Sequence, residues 1–207
     1  LLRFGAAVLP AELEFGSAAV AMLGAASIVY GSAQALSRRA ASEVLAYSSI
    51  GQAGYILLAL ALGGPAGYAA AVVYSLANSF NKLVLFLAAG ARGPLVGTAF
   101  ALGAFSVAGV PPTAGFLAKL EVFRVSLGTP ALVGLVFLGS ALSFVYMFQI
   151  YQHDYWRGAK RGPASPPAVR RLVLAVAVLL LAAGAWPEPL LRLGERAADV
   201  LARGGSG

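Results

Sequence analysis

Long apolar stretches recur along this chain at the length of a membrane-spanning helix. They lie at 16–36, 44–63, 67–90, 95–124, 130–152 and 169–186. A helix needs about 20 mostly apolar residues to cross the hydrocarbon core of a bilayer. The stretches lack the strict alternation of membrane barrel strands, so helices are the form that satisfies the backbone inside lipid. We therefore predict an all-α, polytopic transmembrane helix bundle of about six spans, forming a single membrane domain over 1–207.

The two ends of the chain differ from these stretches. Residues 1–9 form a short apolar stub without a signal-peptide pattern, and Leu1 rather than Met stands first, as in a piece of a longer chain. In the tail, 188–203, leucine, valine and alanine alternate with charged residues. This pattern predicts an amphipathic helix that lies at the membrane interface.

The composition excludes several classes of protein. Hydrophobic residues make up 59% of the chain and charged residues 11%, against about 25% charge in an average soluble domain. A soluble enzyme of this size could not hide so much apolar surface. The chain has no cysteine, and His153 is its single histidine, which excludes thiolate and multi-histidine metal sites. We therefore expect neither a metal nor a cofactor.

Basic residues sit between the apolar stretches and indicate the topology. Cytoplasmic loops of membrane proteins carry an excess of Lys and Arg. If 95–124 crosses the membrane once, the more basic side contains loops 37–43, 91–94 and 153–168. We predict that these loops face the cytoplasm, in a multi-pass protein of the inner (plasma) membrane. The net charge of +7 then reflects topology and does not indicate nucleic-acid binding.

Lys82 lies unusually deep in an apolar stretch. It precedes Gly90, the end of the third stretch, by eight residues, or about 12 Å of helix. A charged lysine at the bilayer centre costs about 2.5–3.5 kcal/mol, and burial favours the neutral amine, so such a group can load and release a proton. Asn78 and Ser75 extend its helix face by one and two turns. The alternative is a lysine that snorkels to the interface.

The fourth stretch contains residues that break a helix. They are Gly109, Pro111, Pro112 and Gly115, and Lys119 follows about one turn later. A helix break inside a membrane is tolerated where it is buried or lines a wet cavity, and such breaks mark ion sites in transporters. The alternative is an ordinary loop between two short spans, 95–109 and 113–127, which would reverse the topology after it.

Polar residues form stripes on two further spans. Ser48, Gln52 and Tyr55 share one face of the second span, and Ser143 and Tyr146 share one face of the fifth. Polar groups in spans often serve as contacts between helices. Together with the two lysines, they predict a hydrated path through the centre of the bundle, supported by Ser48, Gln52, Ser75, Asn78 and Ser143.

Several motifs resemble one membrane protein family. They are LAYSSIGQAGY at 45–55, NSFNKLVLF at 78–86 and GVPPTAGFLAK at 109–119, with weaker likeness at 146–156 and 186–191. The chain is similar to the antiporter-like subunits of respiratory complex I, membrane-bound hydrogenases and Mrp-type sodium/proton antiporters. The weaker segments look most like the D-type Mrp subunit. The family usually has histidine where this chain has Asn78.

The resemblance implies a fold and a function. The fold would be the second of two inverted five-helix repeats plus the last helix, which is the C-terminal half of a family member. Lys82 and Lys119 would transfer protons in a multisubunit cation/proton antiporter. Its partners would be other membrane subunits, and the transported ions would be protons, with sodium as the cation that could be exchanged for them. One alternative is the proton-pumping subunit of a redox-driven complex, where the enzyme activity belongs to other subunits. The second alternative is a structural membrane module that transports nothing.

Overall fold

The computed structural model describes residues 14–93, 95–156 and 163–204, so the predicted stub at 1–9 lies outside the described part. Secondary structure in these residues is entirely helical. The helices are α1 (Glu14–Ser37), α2 (Ala41–Leu62), α3 (Gly64–Gly90), α4 (Val96–Ala108), α5 (Ala114–Ser126), α6 (Pro130–Tyr151), α7 (Pro167–Ala185) and α8 (Glu188–Gly204). A π-helical turn, Gln152–Trp156, extends α6.

Five helices are long and apolar enough to cross a membrane. They are α1, α2, α3, α6 with its π-helical turn, and α7. Helices α4 and α5 have 13 residues each, which gives each a length of about 20 Å. Neither helix alone matches the hydrocarbon thickness of about 30 Å.

Helices α4 and α5 cross the bundle together, as one broken span. Tyr155, after the end of α6, donates a hydrogen bond to the Ala88 carbonyl near the end of α3 and also contacts Gly97 at the start of α4. Near the end of α5, Glu121 lines a cleft with Pro65 at the start of α3. The pair therefore starts at one end of α3 and finishes at the other. This geometry confirms the prediction of about six crossings and excludes the two-span alternative.

The helix boundaries differ from the predicted ones mainly at prolines. The prediction began the third span at 67 and the sixth at 169, whereas α3 and α7 begin at Gly64 and Pro167. In both helices a proline lies in the first turn. A proline fits there because the first backbone N–H groups of a helix have no intrahelical partner.

Glycines let α1 and α2 approach closely. A Cβ atom at Gly24 would lie 2.9 Å from the Gly54 carbonyl oxygen, and one at Gly31 would lie 2.8 Å from the Gly51 Cα. Small residues at helix contacts allow backbones to meet in a membrane, where dispersion forces drive association. The missing side chains at these positions therefore account for the close packing of α1 on α2.

One end of the bundle carries a group of arginines. We call it the arginine-rich end; among the described residues it holds Arg38, Arg39, Arg92, Arg170 and Arg171. The Ser165 backbone N–H donates to the Arg92 carbonyl over 2.8 Å, which joins the start of α7 to the end of α3. At the other end, α8 packs on the first turns of α3, with Gly194 against Ala69 and Val73. The predicted amphipathic tail is thus a helix, and its place at a membrane interface stays a prediction.

Candidate functional site

Lys82 reaches from α3 across to α2. Its Nζ donates to Ser48 Oγ over 2.8 Å and to the Leu45 carbonyl oxygen over 3.2 Å. The side chain is half-buried, and none of the described carboxylates forms an ion pair with it. The ammonium group is therefore held inside the bundle by a hydroxyl and a backbone carbonyl.

A chain of hydroxyl groups continues from Ser48. Ser48 Oγ lies 3.1 Å from the Tyr146 hydroxyl, which donates to Ser143 Oγ over 3.1 Å. Ser143 donates to the Gly139 carbonyl of its own helix over 2.7 Å. With Lys82 donating to Ser48 and Ser48 to Tyr146, all donors point the same way, from α3 through α2 to α6. All three hydroxyl-bearing side chains are buried.

Gln52 connects this chain to a pair of stacked tyrosines. Its Nε2 donates to the Tyr146 hydroxyl over 3.2 Å, and its Oε1 accepts a hydrogen bond from the Tyr74 hydroxyl. The Tyr74 ring stacks on Tyr55 with centroids 5.2 Å apart. Gln52 is 2% exposed, so its amide spans the core of the bundle between α3 and α6 with both ends paired. Buried polar groups in a membrane need such partners.

Lys119 lies on the other side of the tyrosine pair. Its Nζ is 5.0 Å from the centroid of the Tyr55 ring, a geometry that favours a cation. It also donates to the Ala108 carbonyl over 3.4 Å. Ala108 is the last residue of α4, and this carbonyl is free because the helix ends there. The side chain is 6% exposed.

The break between α4 and α5 is built by glycines and a cap. Gly109 has φ of 85°, a left-handed conformation that suits glycine, and the Lys119 side chain packs against it. Thr113 caps α5 by accepting a hydrogen bond from the Phe116 N–H over 3.4 Å. The Gly115 N–H donates to Ser106 Oγ over 3.0 Å, which fastens the start of α5 to α4. These contacts fix Lys119 beside the broken backbone.

The structure brings together some of the predicted path residues and leaves others apart. Ser48, Gln52 and Ser143 join Lys82 in one network. Ser75 donates instead to the Ala71 carbonyl of its own helix over 2.7 Å, and the buried Oδ1 of Asn78 has no hydrogen-bond partner. The proton-path roles of all these residues remain predictions.

Three tyrosines matter more in this geometry than sequence reasoning suggested. Tyr55 and Tyr146 were only members of polar stripes, and Tyr74 was not singled out. A signal for Tyr74 was available, since it lies one turn before Asn78 on the helix that carries Lys82. A tyrosine in an apolar stretch ordinarily packs in the core. The hydrophobic pattern alone therefore does not indicate that its hydroxyl group forms functional hydrogen bonds.

The fold and the site define a class: a polytopic helical bundle with one broken span and a buried polar network between two lysines. Residues 2–145 match the family described as NADH:quinone oxidoreductase/Mrp antiporter, TM. The chain belongs to this family, which confirms the likeness seen in its motifs.

Individual relatives come from several kinds of complex. The chain is 35% identical over 223 residues to NADH-quinone oxidoreductase subunit N 2 of Solidesulfovibrio magneticus, covering 97% of this chain and 47% of the relative. It is 32% identical over 213 residues to F(420)H(2) dehydrogenase subunit N of Methanosarcina mazei, covering 87% and 43%. It thus spans less than half the length of these curated relatives.

A solved structure shares the fold. The Mrp complex from Dietzia sp. DQ12-45-1b contains a chain that matches with a TM-score of 0.80 and 27% identity. The match covers 90% of this chain and 47% of that one. The likeness therefore extends over nearly the whole bundle described above.

Proposed function

We propose that this chain conducts protons as part of a membrane subunit in a larger complex. The observation that carries the proposal is the directional hydrogen-bond chain from Lys82 through Ser48 and Tyr146 to Ser143. A hydroxyl both donates and accepts a hydrogen bond, so a proton received on one side can be passed on at the other. Burial keeps this route separate from bulk water at both surfaces.

Lys82 is the group that takes up and releases the proton. A lysine changes its charge state readily when it is buried, whereas an arginine does not. Its amine is the first donor of the chain, and Ser48 is its acceptor at 2.8 Å. Gln52 has a different role, because a neutral amide does not carry a proton between sites. It holds Tyr146 and Tyr74 in place.

Lys119 forms the second proton site, next to the broken span. A groove of about 460 Å³ is lined by Gly109, Phe116 and Ser140, together with Lys119 itself. Breaks of this kind are tolerated where they line a cavity. The step from the Ser143 end of the hydrogen-bond chain to Lys119 passes the Tyr55 ring, which lies under Lys119. No hydrogen bond bridges this gap among the described residues, so the step requires the ring to move or water to enter.

The proposal has two forms, which differ in the kind of membrane complex to which the subunit belongs. The chain could serve a multisubunit cation/proton antiporter, as its likeness to the Mrp structure suggests, or a redox-driven complex. The names of the two curated relatives favour the redox-driven form. Sodium-dependent proton flux without a reductant would support the antiporter, and iron–sulfur subunits that copurify would support the redox complex. In both forms the arginine-rich end lies on the cytoplasmic side of the plasma membrane.

Replacing Tyr146 by phenylalanine tests the proposal at the centre of the chain. The ring stays, but Ser48 and Gln52 lose their shared partner, and each buried polar group left unpaired costs about 1–3 kcal/mol. We expect proton flux to fall about tenfold, equivalent to a barrier higher by about 1.4 kcal/mol. The measurement is proton flux in inverted membrane vesicles that carry the protein with its partner subunits.

The matched control is Tyr151→Phe, on the same helix. Tyr151 stacks on Tyr155 with ring centroids 5.9 Å apart, and its hydroxyl has no hydrogen bond to the described residues. Flux should stay at the wild-type level in this variant. Equal flux in the Tyr146→Phe and wild-type proteins would contradict the proposal and favour a structural module.

A further inference from the structure

A polar cleft lies between the last residues of α1 and α6 at the arginine-rich end. It has a volume of about 570 Å³ and is lined by Ser37, Arg38, Arg39, Gln149, Ile150 and His153. It lies one turn beyond Tyr146 on α6, and none of its lining residues belongs to the lysine network. No step of the proposed proton path uses these residues.

The cleft presents unused positive donors. Arg39 is exposed and makes no hydrogen bond or ion pair with any described residue. Arg38 donates to the Gln34 side chain over 3.3 Å and to the Tyr47 hydroxyl over 3.4 Å, through one nitrogen, Nη2. A guanidinium has five N–H donors, so most of those on Arg38 remain available. Paired arginines of this kind match the oxygen atoms of a phosphate group.

A carboxylate does not fill the cleft. The acid placed nearest in sequence, Asp154, is buried, is not part of the lining, and lies 2.8 Å from His153 Nδ1. That contact turns the other ring nitrogen of His153 away from Asp154. The cleft therefore keeps an excess of positive charge and of N–H donors, which favours an anion.

Apolar stripes run from the cleft toward the middle of the bundle. On α1, Val29 and Ala33 precede Ser37 at spacings of four, and on α6, Leu138 and Val145 precede Gln149 at spacings of seven and four. These spacings place each set on one helix face. The four apolar residues are exposed, so an apolar surface continues directly from the charged cleft. A free phosphate would make no contact with this apolar surface, whereas the acyl chains of a lipid would cover it.

We propose that this cleft binds the phosphate headgroup of an anionic phospholipid, whose acyl chains lie along α1 and α6. Basic pockets between helices on the cytoplasmic side suit anionic headgroups. Arg39 supplies the principal contact to the phosphate, and Arg38 and His153 close the site around it. Tyr47, under the Arg38 guanidinium at 5.1 Å, keeps that side chain at the cleft.

The test compares two charge-removing variants at the same end of the bundle. Arg39→Gln and Arg171→Gln each remove one exposed arginine, but Arg171 does not line the cleft. The protein is placed in nanodiscs made from equal parts of phosphatidylglycerol and phosphatidylcholine. Native mass spectrometry after release from the nanodiscs measures the bound lipids. An arginine near the surface contributes about 1 kcal/mol to binding an anionic lipid, so Arg39→Gln should lower phosphatidylglycerol retention about fivefold.

Each outcome has a defined meaning. Wild-type and Arg171→Gln proteins that retain phosphatidylglycerol over phosphatidylcholine, with Arg39→Gln protein that does not, would support the site. Equal loss in both variants would overturn it in favour of general attraction to the charged end, as would equal retention of both lipids. Displacement of the lipid by inorganic phosphate alone would show a free-anion site and also overturn the lipid assignment. Because Arg39 and Arg171 are both exposed, both variants are expected to fold. Thermal unfolding checks this.

Discussion

Replacing Lys82 by alanine is expected to reduce proton flux at least about tenfold, while the protein still folds and assembles with its partners. The change removes the Lys82 amine, which donates to Ser48, so the hydrogen-bond chain loses its proton-loading group. Ser48 keeps the Tyr146 hydroxyl as a partner at 3.1 Å, and the half-buried Lys82 side chain leaves no large cavity. Flux in inverted vesicles, with assembly followed by pull-down, measures the effect.

Ser79→Ala is the matched control for Lys82→Ala. Ser79 is exposed on the same helix and donates to the Ser75 carbonyl over 2.8 Å, within α3. Its removal should leave flux unchanged. If Lys82→Ala also leaves flux unchanged with assembly intact, Lys82 is a snorkelling residue and the chain is a scaffold for a pathway formed elsewhere.

Gly115→Ala is expected to cause the largest loss of stability among single methyl additions in the broken span. A Cβ atom at this position would overlap the Ser106 carbonyl oxygen and lie 2.6 Å from its carbonyl carbon. Both are backbone atoms, so neither can rotate away. Overpacking of this kind costs about 1–3 kcal/mol, and more where the backbone must shift. Thermal unfolding in detergent measures the change.

Gly134→Ala gives the comparison for that experiment. Gly134 lies in α6, and a Cβ atom there would meet nothing within 4 Å. Alanine is favoured over glycine in a helix by about 0.5–1 kcal/mol, so the melting temperature should stay the same or rise. A similar fall in both variants would mean that α4 and α5 do not meet as closely as the Gly115 to Ser106 contact requires.

Much of the fold could be predicted from the sequence because the bilayer constrains it strongly. The lengths of the apolar stretches predict the spans, and the prolines at 111 and 112 predict the helix break. The exact ends were harder to predict, because a proline in an apolar sequence indicates a loop, whereas Pro65 and Pro167 belong to the first turns of helices. Whether α4 and α5 cross once could not be decided from their lengths alone. It is resolved by Tyr155, which lies against Gly97, and by the cleft that Glu121 and Pro65 line together.

The candidate site was predictable only in part, because a helical stripe shows which residues share a face and not which helix that face meets. Lys82 has a long side chain and reaches Ser48 on α2. Ser75 shares its stripe, but a serine hydroxyl in a helix readily bonds the carbonyl four residues earlier, and it does so here with Ala71. The link through Tyr74 and Gln52 depends on the approach of two helices, which no local pattern encodes.

The most direct test of the central claim is a double-mutant comparison of proton flux. The same vesicles would carry Lys82→Ala, Tyr146→Phe or both changes. If Lys82 and Tyr146 act in series on one pathway, the double variant should conduct protons at the rate of the Lys82→Ala variant, with no further loss. Losses that multiply in the double variant would contradict a single chain through Ser48 and would place the two residues on separate routes.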